Sequence, residues 1–324
     1  MNPNIGFCAV IALTGLRIGM SGNSPAQDYP AKTIRFVVPF PAGSGIDTMS
    51  RVMIEELRAR TNAVIVIDHK PGALGQIGAE FTARAPADGY TVMISSSATH
   101  SSGPQLAKKV PYDALNEFTH IARLALFDLA LMLNPAQGFK TPQDLVAQAK
   151  RFPDKLTFGY GSGTAQVTAA SFNRSTGIQV RGIPYKGQPL ALTDLLGGQI
   201  NFVMADLAVI MSHVKSGRLM AASVASSRRS ALLPSVPTLA ELGIRDVELS
   251  GWVGVSGPAN MLSEPVNWWS RNLNLALRDK VFLEKLHAIG VEGEPNSVEE
   301  FNTLVRDQYR IWGTRIREAG IEPQ

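Results

Sequence analysis

The chain has 324 residues, 45% apolar, 18% charged and 7% aromatic, a globular composition that rules out wholesale disorder and suits two lobes or one large domain. Its formal net charge of +4 is spread without a dense Lys/Arg block, which excludes nucleic acid as an expected partner, because phosphate-backbone binding needs a concentrated basic surface. The one cysteine, Cys8, leaves no internal disulfide and no cysteine-based zinc cluster.

Residues 5–16 form an apolar run too short to span a bilayer, followed by the polar stretch Ser21-Gly22-Asn23-Ser24-Pro25-Ala26. Ser24 and Ala26 stand three and one positions before Gln27, so the pattern predicts a secretory signal over 1–26 and a cysteine-free mature chain suited to an oxidising periplasm. The run lacks a preceding Lys or Arg, and Arg17 follows it. A buried N-terminal strand and a displaced start codon are the alternatives.

Residues 33–40, with Ile34, Phe36, Val37 and Val38, predict a buried strand, 39–45 a Pro/Gly loop and 48–60 a helix. The unit repeats with a strand at 63–68, the loop Pro71-Gly72-Ala73-Leu74-Gly75 and a helix at 76–84, then a strand at 91–95 ending in Ser95-Ser96-Ser97-Ala98-Thr99-His100. Strands alternating with helices predict a parallel α/β sheet, which binds ligands in the loops beyond its strand C-termini. A second set of units starts near residue 123: an apolar run at 124–133, a helix at 142–151, a strand at 156–159, the loop Tyr160-Gly161-Ser162-Gly163-Thr164 and a helix at 165–176. It continues with a strand at 179–183, the turn Pro184-Tyr185-Lys186-Gly187, a helix at 189–196 and a strand at 200–204 that leads to Asp206. After a strand at 219–224, residues 226–237 read as a crossing segment, 248–255 as a Trp-bearing strand or loop, and 265–277 and 297–319 as long helices.

Two stretches carry candidate chemistry. In Pro39-Phe40-Pro41-Ala42-Gly43-Ser44-Gly45-Ile46-Asp47, glycines let successive N–H groups converge and the following helix N-terminus adds partial positive charge, which makes an anion cradle. The plainer reading is that Asp47 caps its helix and the glycines make the turn. Gly161-Ser162-Gly163-Thr164 repeats the geometry with added hydroxyls, and two such loops facing one another would clamp an anion. Neither fits a nucleotide fingerprint, and the sequence holds no G-x-S-x-G, no H-E-x-x-H and no metal-ligand spacing among its five histidines. No cofactor and no metal is therefore expected. His100 orients a ligand carboxylate or bonds its own loop; Asp206 holds a ligand's polar group or caps the segment after it. Trp252, Trp268, Trp269 and Trp312 read as packing residues.

The sequence resembles the Bug-type receptors, the periplasmic substrate-binding proteins of tripartite tricarboxylate transporters. The resemblance is carried by Tyr29-Pro30-Ala31-Lys32, Val37-Val38-Pro39-Phe40-Pro41-Ala42-Gly43, Lys70-Pro71-Gly72-Ala73, Pro86-Ala87-Asp88-Gly89-Tyr90-Thr91, Val110-Pro111-Tyr112-Asp113, Pro184-Tyr185-Lys186-Gly187, Leu195-Leu196-Gly197-Gly198-Gln199 and Val236-Pro237-Thr238-Leu239-Ala240-Glu241. It implies an α/β fold of the two-lobed periplasmic-binding-protein kind (type II, Venus flytrap), each lobe a central sheet flanked by helices. The implied division is 27–122 plus 230–324 for lobe 1 and 123–229 for lobe 2. It also implies that a small organic carboxylate sits between the lobes, gripped by backbone N–H groups and hydroxyls. Carried over, the ligand-binding residues are Pro41, Ala42, Gly43, Ser44, Gly45, Asp47, Ser96, Ser97, Thr99, His100, Gly161, Ser162, Gly163 and Thr164, with Asp206 beside them. The family's first loop has three glycines and then a hydroxyl residue before Asp, whereas here Ser44 interrupts the glycines and Ile46 replaces the hydroxyl. The second loop is about two residues shorter than the family's, and Gln166 or Thr168 stands near the place of its usual histidine.

The expected function is a monomeric, non-catalytic periplasmic receptor that delivers a small carboxylate to membrane transporter subunits. The alternatives are a ligand-dependent periplasmic sensor and an enzyme of a small carboxylic acid using Ser162 or His100.

Overall fold

The computed structural model describes residues 29–323; the expected signal segment lies outside them. The chain opens as β1 (Ile34–Val38), α1 (Gly45–Thr61), β2 (Ile65–His69), α2 (Gln76–Ala83), β3 (Thr91–Ser96), the short α3 (Ser97–His100) and α4 (Ser102–Leu106), and β4 (Phe118–Phe127). It continues through β5 (Leu129–Leu133), α5 (Pro142–Arg151), β6 (Thr157–Tyr160), α6 (Gly163–Thr176), β7 (Arg181–Pro184), α7 (Gln188–Leu196), β8 (Phe202–Asp206), α8 (Leu207–Lys215) and β9 (Met220–Val224). It ends with β10 (Gly251–Pro258), α9 (Ser263–Ala276), α10 (Lys280–Ala288) and α11 (Val298–Glu318).

These strands form two sheets of five, ordered β2-β1-β3-β10-β4 and β7-β6-β8-β5-β9. The expected all-parallel arrangement is corrected. β1 pairs in parallel with β2 and β3, and β6 with β7 and β8, but β10 runs antiparallel to β3 and β4, and β5 antiparallel to β8 and β9. The parallel half of each sheet comes from β-α-β crossovers, which leave the loops after β1 and β6 at the C-terminal edge.

The apolar run at 124–133 is not one strand. Asp128 alone separates β4, in the first sheet, from β5, in the second. Both stretches are buried, so nothing in the apolar pattern marks the passage. The return passage lies between β9 and β10, where Leu239, Ile244 and Val247 pack into the second sheet's core before Ser250 donates to Asp128 Oδ1 at 2.7 Å.

Each sheet is covered by helices through apolar stripes. Met53, Ile54 and Leu57 of α1 join Phe36 of β1, Trp269 and Leu273 of α9, and Phe282 of α10 in the first core. Ala165, Ala169 and Phe172 of α6 meet Phe158 and Phe202 in the second. As the sequence indicates, Trp252, Trp269 and Trp312 are fully buried. Helix α11 starts from a capping box in which Ser297 and Glu300 satisfy each other's backbone N–H. It packs against β4 and α4 on one side and α6 on the other, so it braces both halves.

Candidate functional site

The loop after β1 is held by the chain's own polar groups. Ser44, not Asp47, is the N-cap of α1 and accepts from the Asp47 N–H at 3.2 Å. The Asp47 carboxylate folds back: Oδ2 accepts from the Gly43 N–H at 2.8 Å and from Arg51 Nε at 2.9 Å, while Oδ1 faces His69 Nε2 at 2.8 Å. Burial pushes this carboxyl up, but the Gly43 amide, His69 and Arg51 outweigh it and hold the pKa at about 2. Asp47 is therefore an internal brace of the loop, and its oxygens are spent. The space above the loop is open, since a Cβ at Gly43 or Gly45 would meet nothing within 4 Å. That face presents the amide end of a helix of 17 residues to an incoming anion.

The hydroxyl-rich segment after β3 is tightly internal. Thr99 Oγ1 accepts from the Ser96 N–H at 3.0 Å and lies 2.8 Å from His100 Nδ1, and Tyr112 donates its hydroxyl to the Thr99 carbonyl at 2.6 Å. Ser96, Ser97, Thr99 and His100 are all buried. The His100 ring packs edge-on to Phe118 with centroids 4.4 Å apart and to His120 at 5.2 Å. Burial first, then the neighbouring His120, pushes its pKa well down and keeps the ring neutral. In this structure the ring is buried among aromatic neighbours and fixes its own loop through Thr99, while its Nε2 is buried without a partner.

The loop after β6 is built against α7. Ser162 caps α6 by accepting from the Ala165 N–H at 3.2 Å. Gln188 Nε2 reaches both Ser162 Oγ at 3.2 Å and Asp206 Oδ2 at 2.9 Å, while its Oε1 accepts from the Asp206 N–H at 2.9 Å. Sequence reasoning missed Gln188. Its signal was its place as the first residue of α7, directly after the Pro184-Tyr185-Lys186-Gly187 turn. Asp206 Oδ1 is shut off from solvent without a partner, and burial, only partly offset by Gln188, pushes the carboxyl up to about 6.

That shift predicts a pH effect on stability. The folded chain holds the Asp206 proton more tightly than the unfolded chain does, so this group costs nothing below about pH 4, and its cost grows as pH rises through about 6. Asp206→Asn should remove that slope and be more stable than the parent at pH 7.5, by on the order of 2–3 kcal/mol. Urea melts of both proteins at pH 5 and pH 7.5 test this, and an equal pH difference in the two would refute it.

The second loop meets the first half of the molecule at Gly163, where a Cβ would stand 3.1 Å from Leu106 Cδ1. Beside this contact lies a cavity of about 380 Å³, lined by Leu74 after β2, Gln76 at the start of α2, Leu106 at the end of α4, Lys109 beyond it, and Gln166 of α6. Gln166 donates its N–H to the Ser162 carbonyl at 3.1 Å, so the cavity begins one helical turn from the second loop. Among the described residues no group of His, Cys, Asp and Glu side chains is placed to hold a metal ion.

Two mixed α/β sheets, each sending a Gly/Ser loop into the N-terminus of a long helix, define a two-lobed solute-binding protein. The sequence profile of TctC, the tripartite tricarboxylate transporter family receptor, matches residues 49–321, and the chain belongs to that family. Protein BugT of Bordetella pertussis is 32% identical over 317 residues, covering 97% of each chain. Among solved structures, R. palustris Rpa4515 with adipate has a TM-score of 0.79 at 26% identity and covers 92% of this chain and 100% of its own. The periplasmic binding protein BugD has a TM-score of 0.74 at 27% identity, covering 91% and 100%.

Proposed function

We propose that this chain is a periplasmic, non-catalytic receptor that captures a small carboxylate between its lobes and delivers it to the membrane subunits of a tripartite tricarboxylate-type transporter. The observation that carries the reading is the pair of loops 41–47 and 161–164. Each ends a parallel strand, leads into a long helix N-terminus and is braced from behind, the first by its own Asp47 and the second by Gln188, which Asp206 holds in turn. An anion is what such converging amides bind, and the related Rpa4515 has been solved with adipate. The family is one of transporter receptors, and the two side chains open to an enzymatic reading are otherwise engaged. His100 is enclosed, and Ser162 caps α6 with Gln188 rather than a base at its Oγ.

In this reading the lobes are the two sheets with their helices, and the chain crosses at Asp128 and again at Ser250. Those two residues are joined by a hydrogen bond of 2.7 Å, which supports assigning both crossings to one hinge. Dividing the lobes at these crossings rather than at 122 and 229 is supported by β4, which carries the first sheet through Phe127, and by Leu239, Ile244 and Val247, which pack on the second core. Lobe closure on the ligand is a population shift driven by contacts made to both loops at once.

The test is a thermal-shift series on the mature protein from Gln27 with linear dicarboxylates, joined to native mass spectrometry. At a ligand concentration of 100 Kd the folded state gains about 2.7 kcal/mol, and the acid should be recovered intact. No stabilisation by any dicarboxylate, with none co-purifying, would overturn the carboxylate reading; a chemically altered acid would overturn the non-catalytic one.

A further inference from the structure

The second sheet's edge opposite the candidate site carries charge that ligand capture does not use. Residues 129–249, which build that sheet, hold 12 Lys and Arg against 7 Asp and Glu, whereas residues 29–128 and 250–323 together hold 18 against 19. Strand register gathers most of the excess on one edge. Arg181 stands beside Thr157, Phe158 beside Phe202, Phe202 beside Leu133 and Leu133 beside Met220, a row across all five strands at the end remote from Ser162 and Asp206. Lys155 lies just before β6, Arg181 opens β7, and Lys215 and Arg218 lead into β9. Lys140 follows β5, and Lys150 and Arg151 close α5. That end of α5 is held at the same edge, because Arg151 shares a surface hollow with Gln137 and Gln137 Nε2 donates to the Ile200 carbonyl at 2.9 Å.

All of these cations are exposed. Among the described residues, the ion pairs that reach 129–249 run through Arg174, Arg228, Arg229 and Asp246, and none engages a cation of this edge. Few acids oppose them. Asp144 is spent on the Lys140 and Thr141 N–H groups at 3.0 and 2.9 Å, and Asp194 accepts from the Tyr185 hydroxyl at 2.7 Å, which leaves Asp154. Between Arg151 and Lys155 stands Phe152, 42% exposed, its ring 5.2 Å from the Arg151 guanidinium.

We propose that this edge is a membrane-surface contact, which rests the protein on the anionic phospholipids of a bilayer while its two loops face the opposite way. Attraction to a sheet of headgroup phosphates needs several cations on one face that are free of fixed partners. An exposed aromatic ring among them enters the interface, where aromatic side chains sit at the headgroup level. Lys140, Lys150, Lys155 and Lys215 are lysines, a residue that protein–protein interfaces deplete, whereas headgroups accept a mobile point charge. The contact is peripheral, since among the described residues no helix is long and apolar enough to cross a membrane. This goes beyond carboxylate capture: it keeps the protein at a membrane with its loops open to ligand.

Co-sedimentation of the mature protein with vesicles of mixed phosphatidylglycerol and phosphatidylcholine, and with phosphatidylcholine alone, tests this. The wild type should bind the anionic vesicles only, and binding should fall at least about tenfold as salt rises from about 0.05 M to about 0.3 M. Lys150→Glu combined with Lys155→Glu and Lys215→Glu should lower binding at low salt at least about tenfold, and Phe152→Ser about threefold. Arg271→Glu combined with Arg278→Glu and Lys280→Glu makes the same change of net charge at exposed residues beside the first sheet and should lower it less than about twofold. Thermal melts of both triple variants confirm that they fold, and the salt series on the wild type stands without them. A wild type that ignores anionic vesicles, or an equal loss in the two triple variants, would overturn the inference. Binding to washed spheroplasts with none to the vesicles would overturn it in favour of a protein partner. Each of these results leaves the carboxylate reading standing.

Discussion

Gly161→Val should abolish carboxylate binding in a protein that still folds, lowering affinity by about 100-fold or more, or ~2.7 kcal/mol. A Cβ at residue 161 would fall inside the contact distance of Gln188 N and Gly187 C and stand 2.7 Å from Gly187 O. All three are backbone atoms at the entry to α7 and have no rotamer to yield. The β6–α6 loop must lift away, and with it Ser162 leaves Gln188, whose side chain spans 3.2 Å to Ser162 Oγ and 2.9 Å to Asp206 Oδ2. Overpacking of this kind costs about 1–3 kcal/mol of stability, so a control must separate folding from binding. Gly177→Ala provides it. Gly177 ends the same helix with φ 65° and has no atom within 4 Å of an added Cβ, so its cost of about 1 kcal/mol is purely backbone and affinity should stay at the wild-type value. Isothermal titration of both variants decides the matter: a folded Gly161→Val protein with wild-type affinity would remove the second loop from the site.

Trp312→Ala should cost about 3–5 kcal/mol, the range for deleting a fully buried tryptophan. Trp312 sits on α11 in a cluster with Val167 of α6, Leu249 and Ile316, and Leu106 packs against it. Its removal opens the seam between α11 and α6 directly behind the candidate site. Ion pairs run along the same seam, Arg174 to Glu318 at 2.7 Å and Arg315 to Asp246 at 2.8 Å. They lie at the surface, and such pairs contribute only about 0–1 kcal/mol each, so they do not replace the lost packing. Trp312→Phe gives a sharper version of the same test. The indole Nε1 is buried without a partner, and phenylalanine removes that unsatisfied donor while keeping most of the ring, so its cost should stay below about 1.5 kcal/mol. Urea denaturation of the two variants measures the difference. A Trp312→Ala protein within about 1 kcal/mol of wild type would show that α11 does not brace the second lobe.

The alternation of strands and helices was legible because period-2 and period-3.6 apolar spacing reports which face of an element is buried. The loop-to-helix units at 39–61 and 160–176 and the packing role of Trp252, Trp269 and Trp312 followed from that spacing and from the glycines and hydroxyls at the helix starts. Helices α8 and α10, nine residues each, were not among the expected elements, nor were the short α3 and α4.

Residue type and spacing alone determined that this chain is a globular α/β protein with two Gly/Ser loops leading into helices, and its motifs placed it beside the Bug-type receptors. The tertiary structure decided which side chains those loops spend on themselves. Asp47 is turned inward by His69, 22 residues away, and Asp206 is held by Gln188, 18 residues away, while His100 is enclosed by Phe118, His120 and Trp252. It also decided that 124–133 divides between two sheets at Asp128 and that residues as distant as Leu74, Gln166 and Glu322 line one cavity. Apolar periodicity records that a residue is buried, whereas the partner it is buried against is set by strand order and chain crossing, which leave no local mark.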